Sequence, residues 1–186
     1  MDVLYLPKFN RSAKLVNNLT KASGICAWIG QQTIDVTWIA PTQRDTLIRL
    51  AHFSTKIEGN PLTLPEVEAL ATGKYIHINE HAKKEVLNYF SALRWIWKNS
   101  PLIKVSEKDL LKLHQLLTHG ILNIAECGKY KSKPNAVFNG IRIIYKPPPP
   151  EAAKILTKSL LHWINSNSAK EEHPIIVAAI AQHRLV

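Results

Sequence analysis

The sequence predicts an all-α fold, a helical bundle that carries one β-hairpin, and three observations support this expectation. Apolar residues recur at helical spacing through most of the 186 residues. The last stretch, His173–Val186, is apolar on every face from Ile175 to Ala181, which is typical of a helix in the middle of a domain. A single Asn-Gly step, Asn139-Gly140, lies between two β-prone runs. We therefore expect the other helices to surround the C-terminal one.

The N-terminal third predicts two helices. The first begins near Asn10 or Ser12, and one apolar stripe runs along it, formed by Leu15, Leu19, Ala22, Cys26 and Ile29. Residues 34–39 are expected to form a short separate piece. The second helix runs from Pro41 to Gly59, because proline favours the first turn and glycine the position just past the end. Its predicted inward face comprises Leu47, Leu50, Ala51, Ser54 and Ile57.

Glu58 stands at the C-terminal end of this second helix, four residues after Ser54 and therefore on the same side. A carboxylate at that end opposes the helix dipole, at a cost of roughly 0.3–1 kcal/mol unless a cation lies nearby. This unfavourable placement indicates a function for Glu58. A solvated glutamate without a role is the alternative that local physics leaves open.

Three further helices are predicted in the middle of the chain. A capping box from Thr63 to Glu66 starts a short helix that ends at Gly73, and a long helix follows from about Asn79 to Asn99. The next helix begins at Ser106. The long helix is predicted to face inward with Ala82, Val86, Phe90, Leu93 and Trp97. The next helix is predicted to face inward with Leu110, Leu111, Leu113, His114 and Leu117. We expect His114 to be a hydrogen-bonded core histidine.

The helical period disappears between Gly128 and Tyr145. There we expect a hairpin that turns at Asn139-Gly140 between residues 136–138 and 141–145. The prolines from 147 to 150 form a stiff connector, and a helix opens at Pro150 with Leu156, Leu160 and Ile164 facing inward.

Composition indicates a cytoplasmic protein. The two cysteines have no CxxC spacing, the N-terminus lacks a signal-peptide pattern, and no stretch reaches the ~20 apolar residues of a membrane span. The net charge of +10 invites a nucleic-acid interpretation. The lysines, however, are scattered rather than aligned on one helix stripe, so we expect no specific nucleic acid as a partner.

One metal-ligand pattern is present. His77, Glu80 and His81 follow the H-x-x-E-H spacing of a zinc site, in which two histidines lie a helical turn apart. No third ligand is evident downstream, and the stretch lies at an expected helix start, where polar residues serve as caps. We therefore predict no metal site.

Several stretches resemble blocks of the Fic family, in the family's order and over nearly the whole chain. The first, residues 53–60, matches the family's inhibitory pattern (S/T)-x-x-x-E-(G/N), with Ser54, Glu58 and Gly59 at its defining positions. The others are residues 85–89 with Ala92-Leu93, residues 113–117, Gly128-Lys129-Tyr130, residues 147–151, and the terminal helix from His173.

The resemblance implies a fold and an activity. Fic proteins are helical bundles around a central apolar helix, and members with an intact active site transfer AMP from ATP, with Mg²⁺, to a hydroxyl of a target protein. It implies that Glu58 is inhibitory, pairing with a signature arginine and blocking productive placement of the ATP γ-phosphate. It also implies that the hairpin is a flap, in which Ile141, Arg142 and Ile143 hold a target segment as an added strand. A hairpin that merely covers the core is the alternative.

The family signature, H-P-F-x-(D/E)-G-N-(G/K)-R, is not among the 186 residues. We therefore expect a chain truncated before its catalytic loop, with residues 1–73 as an N-terminal region that includes the inhibitory helix and residues 74–186 as a Fic-like core. No residue is assigned a catalytic role, no ATP or Mg²⁺ is expected to bind this chain, and these residues alone should be inactive.

Two other functions stay open, a non-enzymatic regulatory remnant that binds a partner and a basic helical protein that binds nucleic acid. The target protein cannot be named from the residues, and self-association into a homo-oligomer stays open.

Overall fold

The computed structural model describes residues 5–100 and 104–185. Within these residues the chain forms eight helices and one two-stranded antiparallel sheet, so the predicted fold class, all-α with one β-hairpin, is confirmed. The elements are α1 (Ala13–Gly30), α2 (Val36–Ile57), α3 (Leu64–Ala71), α4 (Glu80–Asn99), α5 (Glu107–Thr118), β1 (Val137–Asn139), β2 (Arg142–Tyr145), α6 (Pro150–Ile164), α7 (Asn167–Lys170) and α8 (Pro174–Leu185).

The chain divides into two compact units. The described residues of the first unit are 5–33, 104–107 and 130–185, and those of the second unit are 34–100 and 108–129. The predicted functional division at residue 73 stays a prediction.

The second unit is built on α2, α3 and α4, which pack on one another around one apolar core. Thr63 and Glu66 form the predicted capping box of α3, and Asn79 caps α4 by accepting hydrogen bonds from the His81 and Ala82 N–H groups. These caps fix where each helix begins and so which side faces the core. The buried core residues are Leu47, Ile48, Ala51, Leu62, Val67, Leu70, Ala82, Val86 and Phe90.

Helix α2 begins earlier than the sequence suggests. The separate piece expected over residues 34–39 does not form, because Asp35 accepts a hydrogen bond from the Thr37 N–H and the helix starts at Val36. Pro41 therefore lies inside the helix rather than at its start. It removes one hydrogen bond near the N-terminus, a loss that the Asp35 cap offsets.

The inward face of α2 differs from the predicted one by part of a turn. Leu47 and Ala51 are buried as expected, but Leu50 and Ile57 are 42% and 83% exposed, and Ser54 is half-buried. Because α2 packs against both α3 and α4, its buried side is rotated toward Ile48, His52 and Thr55.

The first unit has its core around α6. Leu160, Trp163 and Ala169 are buried there, and residues of α8 pack against them. The side chain of Asn165 exchanges two hydrogen bonds with the backbone of Val105, at 2.9 and 2.8 Å, and so holds residues 104–107 against the end of α6. Pro150 opens α6 as predicted.

Helix α8 is less buried than its composition suggests. Ile176 is buried, Val177 and Ile180 are half-buried, and Ile175 and Leu185 are 53% and 49% exposed. The expectation that other helices enclose it on every face is therefore wrong for these side chains. The reason is that its main contact within the unit is with α6, which covers a single face. Its predicted end at Val186 lies outside the described residues.

Helix α1 follows its predicted start, since Ser12 is the N-cap residue and its hydroxyl accepts the Leu15 N–H. The predicted apolar stripe is covered only in part. Leu15, Leu19 and Ala22 are half-buried, whereas Cys26 and Ile29 are exposed. None of the described helices combines the length and hydropathy of a membrane span.

The hairpin forms close to its predicted place, with the turn shifted by one residue. Asn139 pairs with Arg142, so the two-residue loop is Gly140-Ile141 rather than Asn139-Gly140. Gly140 has φ +59°, which is the requirement of the first loop position in a type II′ turn. The register shifts between Val137, which pairs with Tyr145, and Phe138, which pairs with Ile143, so Ile144 is the extra residue of a bulge in β2.

Candidate functional site

The turn after α2 holds two of the three predicted inhibitory residues. Glu58 is the C-cap of the helix, and Gly59 follows with φ +92°, a left-handed conformation that favours glycine. The Gly59 N–H donates to the Lys56 carbonyl and the Asn60 N–H donates to the Thr55 carbonyl, both at 3.0 Å. This pair of bonds is a Schellman motif, which fixes the direction of the chain past Glu58.

Asn60 anchors this turn to α4. Its side chain is buried, and its amide nitrogen donates to the Ala82 carbonyl at 2.9 Å and to the Glu85 carboxylate at 2.6 Å. Its amide oxygen accepts the Leu62 N–H at 3.1 Å. Because a buried amide must be hydrogen-bonded, the two bonds to Ala82 and Glu85 hold the turn against α4.

Ser54, the third predicted residue, is tied to the same helix one turn further on. The Tyr89 hydroxyl donates a hydrogen bond of 2.8 Å to the Ser54 hydroxyl oxygen. Glu85 and Tyr89 are four residues apart and therefore lie on one side of α4. The end of α2 is thus fastened to α4 at two successive turns.

The Glu58 carboxylate is exposed and projects from this fixed turn. Among residues 5–100 and 104–185, no side chain forms a hydrogen bond or an ion pair with it. Glu58 lines an open cleft of about 450 Å³ together with Gly59, Asn60, Pro61, Asn79, His81, Ala82 and Glu85. The cleft therefore presents a carboxylate on a fixed backbone turn, and no described cation neutralises it.

The structure thus brings the predicted residues Ser54, Glu58 and Gly59 together at the C-terminal end of α2 and adds three residues that the sequence reasoning gave no role. These are Asn60, Glu85 and Tyr89. The sequence did place them in the matching stretches, since Asn60 is the last residue of the stretch 53–60, and Glu85 and Tyr89 begin and end the block 85–89. The sequence did not show that one block holds the other.

The predicted flap residues lie at the tip of the hairpin in the first unit. Ile141 is fully exposed in the loop, and Arg142 and Ile143 follow in β2, where Ile143 is 53% exposed. Every residue of both strands is exposed. The alternative in which the hairpin covers a core is therefore not what the structure has.

The two histidines of the terminal stretch lie near opposite ends of α8. The Nδ1 atom of His173 accepts the Ile175 N–H at 3.2 Å, so the proton of the neutral ring lies on Nε2, which is 3.0 Å from the Ser23 hydroxyl. His173 thereby caps the start of α8. His183 lies exposed in the last turn.

The H-x-x-E-H stretch is divided by the N-cap of α4. His77 lies before Asn79, and His81 lies inside the helix, with its Nδ1 atom 3.4 Å from the Glu85 carboxylate. The helical-turn spacing that a zinc pair requires is therefore not formed. In the described part of the chain, no group of three or more His, Cys, Asp or Glu side chains is arranged to hold a metal ion.

His114 is hydrogen-bonded, as the sequence predicts. Its Nδ1 atom accepts the Gly128 N–H at 3.0 Å, which ties α5 to the Gly128-Lys129-Tyr130 segment. Burial raises the pKa of Tyr130, the last residue of that segment.

Comparison with known proteins gives concordant results. The model of the Fic/DOC family matches residues 104–186. Over 151 residues the chain is 29% identical to the protein adenylyltransferase Fic of Drosophila mojavensis and 29% identical to that of Drosophila virilis. These alignments cover 77% of this chain, which spans 28% and 29% of the length of those two relatives.

Solved structures show the same similarity. A Fic family protein from Desulfovibrio desulfuricans G20 aligns with a TM-score of 0.81 and 28% identity, over 97% of this chain and 53% of that one. Fic-1 from C. elegans aligns with a TM-score of 0.72 and 24% identity, over 94% of this chain and 52% of that one. The chain therefore spans about half the length of the solved structures it resembles.

Proposed function

We propose that this chain is part of a Fic protein adenylyltransferase, an enzyme that transfers AMP from ATP to a hydroxyl of a target protein. The Fic/DOC family model over residues 104–186 and the relatives at 29% identity support this proposal. The observation that carries the proposal is the fixed turn at Glu58. Asn60 and Tyr89 hold its backbone and the preceding Ser54, while the Glu58 carboxylate stays without a described partner.

In this proposal Glu58 is the inhibitory residue. An unpaired carboxylate at a helix C-terminus is unfavourable by itself, and an arginine of the family signature would relieve that cost. The arginine so engaged would be unavailable to the γ-phosphate of ATP. Ser54 and Gly59 hold Glu58 in place. The Ser54 hydroxyl is hydrogen-bonded to Tyr89 of α4, and Gly59 adopts the left-handed conformation that the turn requires.

ATP and Mg²⁺ are the proposed co-substrate and metal of the family reaction. None of the described residues is assigned to hold either, because the signature that supplies the acidic metal ligand, the backbone anion nest and the base is not among the 186 residues. A base contributes about 10²–10⁴ in rate, and each oxyanion-type donor about 10²–10³. These 186 residues by themselves should therefore label no target.

The hairpin is proposed as the surface that binds the target. Ile141, Arg142 and Ile143 present apolar and basic side chains at its tip, and β2 is an edge strand to which an extended segment can add. The same exposed hairpin also favours the second candidate function, a regulatory module that binds a partner without catalysis.

The test compares residues 1–186 with a longer polypeptide in which they continue into the segment H-P-F-x-(D/E)-G-N-(G/K)-R of a Fic protein. Each form is prepared with Glu58 intact, as Glu58→Gly, and as Glu126→Gly, a matched control in an exposed loop. The measurement is transfer of labelled AMP from ATP in the presence of Mg²⁺.

We expect Glu58→Gly to release labelling by the longer form and Glu126→Gly to leave it low. Robust labelling by residues 1–186 alone would refute the assignment of the chemistry to the signature. A longer form that labels equally well with and without Glu58 would remove the inhibitory role. A longer form that never labels would favour the regulatory module.

A further inference from the structure

The second unit carries an open groove between the N-terminal half of α2 and the C-terminal end of α4, which we call the α2–α4 groove. It consists of two adjacent cavities of about 720 and 570 Å³ that share Gln43 and Trp97 in their walls. The proposed adenylyltransferase activity assigns nothing to this groove, and none of its lining residues belongs to the turn at Glu58.

One end of the α2–α4 groove is apolar and exposed. Trp38 is 68% exposed, Ile34 57% and Trp97 43%. Tryptophan is the side chain that most often anchors protein interfaces, and clustered exposed apolar side chains mark interaction sites. Within the second unit this end of the groove lacks a covering element among the described residues.

The other end of the α2–α4 groove is basic. Arg44 and Arg94 line it, and no acidic residue lines either cavity. Arg94 lies over the Phe90 ring at 5.7 Å, and in the described part of the chain neither arginine is within ion-pair distance of a carboxylate. The groove therefore offers guanidinium groups that favour a carboxylate from outside.

We propose that the α2–α4 groove binds an acidic amphipathic helix of a partner protein. A groove between two packed helices accepts a third helix through apolar anchors at i, i+3 or i+4, and i+7. Trp38 and Arg44 are six residues apart on α2, which is about 9 Å along the axis. The bound helix therefore places its apolar anchors on Trp38 and Trp97 and its carboxylates one to two turns further, on Arg44 and Arg94.

Tryptophan and arginine also bind single-stranded nucleic acid by stacking. Two features of the groove favour a helix over single-stranded nucleic acid. Its lining residues include no lysine that would contact a phosphate backbone, and its apolar end includes the aliphatic residues Ile34 and Ile39. Single-stranded DNA is nevertheless one arm of the test.

The test uses the full chain and a set of fluorescein-labelled helical peptides of 16 residues. The peptides carry Leu, Ile or Phe at i, i+4 and i+7 and Glu on the flanks, and a second set has Lys in place of each Glu. Fluorescence anisotropy is measured in about 0.15 M salt for the wild type, Trp38→Ala and Arg44→Glu. Trp28→Ala, at a 64% exposed tryptophan of α1, and Lys112→Glu, at an exposed lysine of α5, are the matched controls.

We expect saturable binding of the Glu peptides, at least tenfold weaker binding of the Lys peptides, and at least tenfold weakening by Trp38→Ala and by Arg44→Glu. The two controls should stay within about twofold of the wild type. Circular dichroism establishes that each variant is folded. Three results would overturn the proposal: no saturable binding by any Glu peptide, equal weakening by the controls, or oligothymidine binding tighter than every peptide and lost in Arg44→Glu.

Discussion

At the scale of single residues, the turn at Glu58 depends on one buried amide. Asn60 satisfies a backbone carbonyl, a backbone N–H and the Glu85 carboxylate at once, and no other polar residue of similar size has both the donor and the acceptor in these positions. It therefore couples the end of α2 to α4 more directly than the apolar contacts around it.

Replacing Asn60 with alanine should destabilise the fold by about 1–3 kcal/mol, because it leaves a buried N–H and a partly buried carboxylate without their partner. Urea unfolding followed by circular dichroism measures this change. Asn17→Ala, at an exposed position of α1, is the control and should alter stability by less than about 0.5 kcal/mol. Equal effects of the two substitutions would show that the Asn60 bonds contribute nothing specific.

At the scale of elements, side-chain caps decide where the helices begin. Asp35 starts α2 before a proline that would otherwise mark the first turn, and the box of Thr63 and Glu66 starts α3. In both cases a carboxylate accepts a backbone N–H, which lowers the pKa of Asp35 and of Glu66 from their ordinary values. The starts of α2 and α3 are therefore sensitive to acid.

The Glu66 carboxylate gives a prediction with a defined pH window. Its pKa is lowered in the fold, first by the hydrogen bond from the Thr63 N–H, so its contribution is fully present above the unfolded value of about 4.3 and is lost as pH falls through the folded pKa. Glu66→Gln should therefore lower the Tm more at pH 7 than at pH 3. Thermal unfolding at both pH values is the measurement.

Glu68→Gln, on the exposed side of the same helix, is the control for this experiment and should give no such pH-dependent difference. A Glu66→Gln variant that loses the same Tm at pH 3 as at pH 7 would contradict the charged capping box as the cause.

At the scale of the whole molecule, basic residues outnumber acidic ones, with 24 Lys and Arg against 14 Asp and Glu. The net charge is +10, yet the ion pairs among the described residues are few and mostly on exposed side chains. A diffuse positive charge attracts polyanions without reading their sequence.

Binding to duplex DNA should therefore be weak and independent of sequence. We expect equal affinity for two unrelated 20-base-pair duplexes, falling steeply between about 50 and 200 mM salt because binding is driven by counterion release. Fluorescence anisotropy over this salt range is the measurement. A preference of a hundredfold or more for one duplex, persisting at the higher salt, would instead favour the nucleic-acid function.

The sequence by itself determined the features that depend on neighbouring residues. The capping box at Thr63, the starts of α1, α4 and α6, the left-handed Gly59 and the existence of the hairpin all follow from local chemistry, and each forms where the pattern predicts it or within about a residue of that place. The family resemblance added which residues to examine, Ser54, Glu58 and Gly59.

Only the tertiary structure decided the features that depend on distant partners. The rotation of the α2 face, the exposed side of α8 and the fastening of Asn60 and Ser54 to Glu85 and Tyr89 are set by which helices pack together. Periodicity states that a helix has an apolar side, but burial requires another element to cover that side. Likewise, hydrogen bonds between residues 25 and 35 positions apart cannot be predicted from the residues that neighbour either partner in the sequence.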